Sequence, residues 1–170
     1  MDENKIIWNI INCYFQSNKN FSVKHHLDSY NNFWNHGITR LFQEKNPIRI
    51  FKEQNQKTKE YKYHCNLFLG GKEGNKIYYG KPIIYDENKT HFMYPNEARL
   101  RNMNYGFSIH YDVDVDFQIL HNGKKINKSI TLEKIYLGRF PIMLQSDLCI
   151  LKGLSKEVRF NMGECRDDWG

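Results

Sequence analysis

The alternation from Phe107 to Ile119 constrains this chain more than any other stretch. Phe107, Ile109, Tyr111, Val113, Val115, Phe117 and Ile119 take every second position, with Ser108, His110, Asp112, Asp114, Asp116 and Gln118 between them. A two-residue period places the two sets on opposite sides of a β-strand, so the chain must build a sheet with one buried and one wet face. At ~3.3 Å per residue this run would reach about 43 Å, which predicts a bend or bulge within it. Asn122-Gly123 follows, a preferred pair for a type I′ hairpin turn. Counting back across that turn sets Ile119 opposite Ile126, Val115 opposite Ile130 and Val113 opposite Leu132. The apolar faces match, so the register is self-consistent.

Upstream the period is helical. Ile6, Ile7, Ile10, Ile11, Tyr14 and Phe15 form one apolar stripe on a short helix. Ser22 is the expected N-cap of a second helix, "VKHHLDSYNNFWNH", with Val23, Leu27, Tyr30 and Trp34 on one side. Gly37 ends or kinks it, "ITRLFQEK" continues as a last turn, and Pro47 stops it. Short strands follow: "IRIFKE", then "YKYHCNLFL" closed by Gly70-Gly71, then "KIYYGKPII", which Pro82 marks as an edge or bent strand. "LEKIYLGRFPIMLQS" is a further extended run. "DLCILKGL" suits a helical turn or a strand, and the tail after Leu154 has little periodicity. The expected fold class is α+β: amino-terminal helices over about residues 5–45, then a mostly antiparallel, twisted sheet with a long β-hairpin over about 48–170.

Composition narrows the class. A formal charge of +6 suits an anionic partner such as nucleic acid, although the lysines are scattered among acidic residues. Cys13, Cys65, Cys149 and Cys165 form no C-x-x-C pair, which argues against a zinc ribbon and for reduced thiols. "MDENKIIWNIINCYF" has Asp2 and Glu3 where a secretory leader is positive, and no stretch is long enough to span a bilayer, so no membrane partner is expected.

No self-contained active site emerges. "DVDVD" puts three carboxylates on one strand face, but from Asp112 an EF-hand loop would need glycine where Phe117 stands and glutamate where Gly123 stands. A solvated strand face is the reading adopted. His25-His26 and His64-Cys65 are adjacent pairs, which on a helix or a strand diverge too far to share a metal. "LGGKEGNK" lacks the spacing of a phosphate loop and sits between strands. Serines lack the G-x-S-x-G elbow. Neither catalytic nor metal-ligating residues are therefore assigned. What remains is "MYPNEARLRNMNY". If extended, it directs Arg99 and Arg101 to one face, as a pair for phosphate or protein contact. The alternative is an Asn-Glu-Arg corner satisfied by its own backbone and a salt bridge.

Several phrases in this order resemble the amino-terminal region of the second-largest subunit of multisubunit DNA-directed RNA polymerases. "PNEARLRNMNY", with Pro95, Asn96 and Glu97, is similar to that family's run before its long strand. "VKHHLDSYNNF", with Asp28, resembles the first helix and its Leu-Asp-Ser motif. "KIYYGKPII" and "LGRFPIMLQSDLCILKGL", the latter with Pro141, resemble the strand before the Pro-Asn-Glu-Ala-Arg run and the Gly-x-x-Pro-Ile-Met-Leu segment. "ECRDDWG", with Asp168 and Gly170, stands where the family has an acidic run ending in Gly-Gly. Gln145 departs from the arginine usual in eukaryotic relatives. The Asn-, Lys-, Ile- and Tyr-rich wording looks most like subunits of large nucleocytoplasmic DNA viruses.

The resemblance implies the protrusion, a wall of the DNA cleft, with the chain ending before the domain is complete. It implies nucleotidyl transfer by the assembled enzyme, with Mg2+ bound by the largest subunit, zinc held elsewhere in the full subunit, and no cofactor within residues 1–170. Implied partners are the largest and other polymerase subunits, template DNA, nascent RNA and initiation factors. Arg99, Arg101 and Arg139 are the candidate nucleic-acid or partner contacts. Implied locations are the virion and host cytoplasm for a viral source, and the nucleus for a cellular one. The rival reading is a free-standing basic α+β module that binds nucleic acid or a transcription partner without catalysis.

Overall fold

A computed structural model describes residues 3–17, 20–54, 56, 59–87, 89–121 and 124–163. In chain order the elements are α1 (Glu3–Ser17), α2 (Lys24–Asn32), α3 (Ile38–Lys45), β1 (Ile48–Gln54), β2 (Tyr61–Leu69), β3 (Ile77–Tyr79), β4 (Ile83–Asp86), β5 (Lys89–Phe92), α4 (Pro95–Leu100), β6 (Gly106–His121), β7 (Lys124–Pro141) and α5 (Lys156–Gly163). This is an α+β fold, as the patterning implies. All sheet pairings are antiparallel. β6 is the spine: β7 lies on one side, and β2 and β3 share the other, with β1 beyond β2. β4 and β5 form a separate hairpin.

The register across the hairpin is the one counted from the sequence: Ile119 faces Ile126, Val115 faces Ile130 and Val113 faces Leu132. The ladder is irregular between Ile109 and His110 and between Tyr111 and Val113, but the extra residues lie on β7, at Leu137 and at Glu133-Lys134, and not within the Phe107–Ile119 run where a bulge was expected. The Asn122-Gly123 turn itself lies outside the described residues. β7 is longer than its hairpin arm. "LEKIYLGRF" is no separate strand, because it continues the same ladder until Pro141 opposes Gly106.

The helical layer differs in detail from expectation. Ser22 is not an N-cap; it lies in a 3-10 turn, Phe21–Val23, and α2 begins without a side-chain cap. Gly37 does not end the helix. Phe33–Gly37 form a π-helical turn that passes directly into α3, with Ile38 still in helical conformation. Asn46 then ends α3, and its side chain replaces a strand partner: Nδ2 donates to the Leu69 carbonyl, and Oδ1 accepts from the Leu69 N–H, both at 2.8 Å.

Two further expectations are corrected. "KIYYGKPII" is broken after Gly80, whose N–H makes a last bond to β6 at the Ser108 carbonyl, and Pro82 offers no donor to continue the pairing. Its halves become β3 on the main sheet and β4 in the small hairpin. The tail contains a helix, α5, whose short length and weak apolar stripe left no readable period.

The core sits at one end of the spine. Trp34 and Ile38 pack on Phe107 and Ile109, and Ile142, Cys149 and Leu151 close the layer. The Trp34 indole meets Phe107 and Phe140 edge-on at 5.1 and 5.3 Å, and the Tyr79 hydroxyl donates to its carbonyl. Burying side chains of this size yields roughly 1.5–3 kcal/mol each. A second cluster, Ile84, Met93 and Ala98, lies under α4, and Tyr105 packs against both. α1 has the predicted stripe, but among the described residues it is largely uncovered: Ile10 is 65% exposed, and Phe21 meets only its Tyr14 and Phe15 end. Among the described residues no helix is long and apolar enough to cross a membrane.

Candidate nucleic-acid and partner interface

The stretch Pro95–Leu100 is a helix, not an extended lead-in. Tyr94 is extended at its N-cap, and Pro95 occupies the first turn, where its missing N–H costs nothing. Asn102 takes a left-handed conformation, φ 53°, just past the end. The Met103 N–H returns to the Ala98 carbonyl at 2.7 Å, and the Asn102 N–H to the Arg99 carbonyl at 3.3 Å. This pair of bonds is a Schellman stop.

Helical geometry separates the two arginines, since residues two apart on a helix face roughly opposite sides. The shared face expected of Arg99 and Arg101 is therefore absent. The Arg99 guanidinium donates to Asn96 Oδ1 at 2.8 Å, and Asn96 Nδ2 donates to the Gly163 carbonyl at 3.1 Å, tying α4 to α5. Arg101 turns toward β4. Its Nη1 lies 3.1 Å from Asp86 Oδ1 and its Nε 3.3 Å from Glu97 Oε1. Glu97 also meets His91 Nε2 at 3.0 Å. Asp86 holds the Arg101 guanidinium even more firmly protonated than usual. Arg139 stands opposite Ser108, and its Nη2 donates to the Asn104 carbonyl at 3.1 Å.

The three candidate arginines thus engage three different parts of one corner. Two carboxylates flank Arg101, which reduces the positive field it can offer a phosphate. Of the family-motif residues, Pro141 accepts the Tyr30 hydroxyl at 2.7 Å and Asp28 is exposed on α2; Asp168 and Gly170 lie outside the described residues. The Gln145 backbone is left-handed, φ 65°, beside fully buried Ser146.

"DVDVD" is not a uniformly solvated row. Asp112 is 5% exposed, opposite the extra residue of β7 at Glu133-Lys134, and Tyr78 and Lys134 lie against its carboxylate. The Lys134 N–H and the Tyr78 hydroxyl bond its carboxylate at 2.9 and 3.0 Å. They hold it below the usual carboxylate range, Lys134 first. Asp114 accepts the Thr131 hydroxyl at 2.7 Å. The Ser129 hydroxyl, with Lys72 beyond it, lowers Asp116 similarly. The carboxylates are committed to cross-strand bonds, and among the described residues no group of three or more His, Cys, Asp or Glu side chains could hold a metal. His64 stacks on Phe51 at 4.7 Å, and its buried Nε2 has no hydrogen-bond partner among the described residues.

Sequence reasoning missed a different gathering of charge. Pairing of β1 with β2, β2 with β6 and β6 with β7 brings Lys52 to the same end of the sheet as Lys124, Lys125 and Lys128. Among the described residues none of these four has a carboxylate partner. Lys52 is remote from the others in sequence, so only the strand order reveals the cluster.

Residues 22–170 match the model of a family described as RNA polymerase beta subunit. Subunit Rpo2N of a DNA-directed RNA polymerase from Methanothermobacter thermautotrophicus is 30% identical over 167 residues, covering 98% of this chain and 28% of its own. Subunit RPB2 of DNA-directed RNA polymerase II from Eremothecium gossypii is 30% identical over 182 residues, covering 96% of this chain and 14% of its own. Subunit 2 of RNA polymerase II from Arabidopsis thaliana is 28% identical, again over 96% of this chain and 14% of its own. The chain spans less than a third of the length of these relatives.

Proposed function

The chain belongs to the RNA polymerase beta subunit family, and on that premise we propose that it serves as the amino-terminal protrusion segment of a second-largest polymerase subunit. The match over residues 22–170 carries this reading. The segment forms part of the wall of the DNA cleft in DNA-templated transcription. In the assembled enzyme nucleotidyl transfer to the RNA 3′ end would draw on Mg2+ held by residues outside this chain, which would supply charge stabilisation for the displacement. This chain's own residues scaffold and attract. Arg99 and Arg101 brace the α4 corner. Lys124 and Lys125, beyond the rows of Lys52 and Lys128, supply positive potential toward template DNA. The other polymerase subunits, nascent RNA and initiation factors are the remaining proposed partners. The Asn- and Lys-rich composition supports a viral source, with the virion and host cytoplasm as location; a cellular gene neighbourhood would reject it.

The test is fluorescence anisotropy of a short DNA duplex titrated with the chain at rising salt. If about two lysines meet phosphates, affinity falls by roughly ten-fold between 50 and 200 mM salt. Replacing Lys124 and Lys125 by Glu abolishes most of it. No binding at low salt, or binding indifferent to salt, rejects the DNA-facing role.

A further inference from the structure

Among the described residues nothing covers the sheet face at the far end of the hairpin. Strand pairing sets Ile50, Cys65 and Phe117 in one row and Tyr63, Ile119 and Ile126 in the next. The helical layer reaches only the near end, where Trp34 and Ile38 cover Phe107 and Ile109 and Phe42 meets Tyr111. Beyond it, Phe117 and Ile119 are 39% and 36% exposed, and Ile50 and Ile126 are 49% and 53% exposed. Ile50, Tyr63, Cys65, Phe117 and Ile119 line an open, mainly apolar hollow of about 450 Å3. An uncovered apolar face of this kind marks an interaction surface.

We propose that this face is the seat of an amphipathic helix with acidic residues beside its apolar stripe, supplied by the rest of the polymerase subunit. Four strands span about 14 Å at their usual spacing, which takes one helix of about 10 Å diameter. A helix there continues the layer that α2 and α3 begin. Charge selects the acidic flank: Lys52 and Lys128 occupy the same rows on the two outer strands, without carboxylate partners among the described residues. Glu53, beside the hollow, is already paired with Lys62. A second copy of this chain would set lysines against lysines, an unfavourable pairing. α1 offers an apolar stripe but Glu3 is its sole carboxylate. The relatives supply the material, since the matched stretch is 28% and 14% of their lengths.

The proposal rests on the polymerase reading, and Cys65 provides a footprint that separates the two. Cys65 is half-buried on this face, and burial, with Asp116 nearby, pushes its thiol up, so maleimide labelling is run at alkaline pH. Labelling at Cys65 is compared by mass spectrometry between the 170-residue chain and the complete subunit. Protection of about ten-fold or more in the subunit, relieved by Lys52→Glu with Lys128→Glu, is the expected result. Equal labelling in both overturns the proposal. So does a 170-residue chain that sediments as a dimer with Cys65 already protected, since the occupant is then a second copy. Co-purification with the largest subunit reads the polymerase assignment separately. Protection without assembly keeps the helix and sinks the assignment; assembly with a fully labelled Cys65 does the reverse.

Discussion

Asn96 shows how a single side chain acts in this fold. It is buried, accepts from Arg99 and donates to the last residue of α5. Asn96→Ala removes the side-chain donor to the Gly163 carbonyl and empties a buried position, so unfolding stability should fall by about 1–3 kcal/mol in chemical denaturation. An unchanged midpoint would remove the α4–α5 tie. The aspartates make a prediction about pH. Asp112, Asp116 and Asp147 all have folded-state values depressed below the ordinary one, by Lys134, Ser129 and Lys152 foremost. A depressed carboxyl stabilises the fold above its unfolded value, and the contribution disappears as pH falls through the folded one. Thermal stability should therefore fall as acid is added below about pH 4, and Asp112→Asn should flatten part of that fall. A Tm profile of the variant parallel to the wild type would contradict the assigned bonds.

At the level of elements, the base of the hairpin is the least forgiving point. A Cβ added at Gly106 would lie 2.6 Å from the Phe140 carbonyl oxygen, which is backbone and cannot swing away. Gly106→Ala should cost about 1–3 kcal/mol through forced backbone shifts, read as a lower denaturation midpoint. A neutral result would mean that β6 and β7 are less closely held there. α4 has the opposite character. Its start and stop signals, Pro95 and Asn102, were present in the sequence. At six residues it has too few turns for an apolar period, so the flanking alternation drew it into an extended reading. α5 was missed for a related reason, its stripe being weak. β6 was legible because a long two-residue alternation has no competing helical reading.

Across the whole molecule the buried layer is concentrated at one end, and this predicts contrasting sensitivities. Ile109→Ala, in the core, should cost about 2–5 kcal/mol. Ile126→Thr with Ile130→Thr, on the uncovered far end, should stay within about 1 kcal/mol in the 170-residue chain. Equal losses would mean that the far face is covered after all. By itself the sequence determined the α+β class, the long hairpin and its register, because these follow from periodicity and from pairing across one short turn. The family wording was likewise contained in local phrases. The gathering of Lys52 with the β7 lysines, the burial of Asp112 beside Tyr78 and Lys134, the divergence of Arg99 from Arg101 and the apolar face left open among the described residues were decided by tertiary structure. Each depends on which distant strands pair or on how a helix directs its side chains, and no local period encodes that.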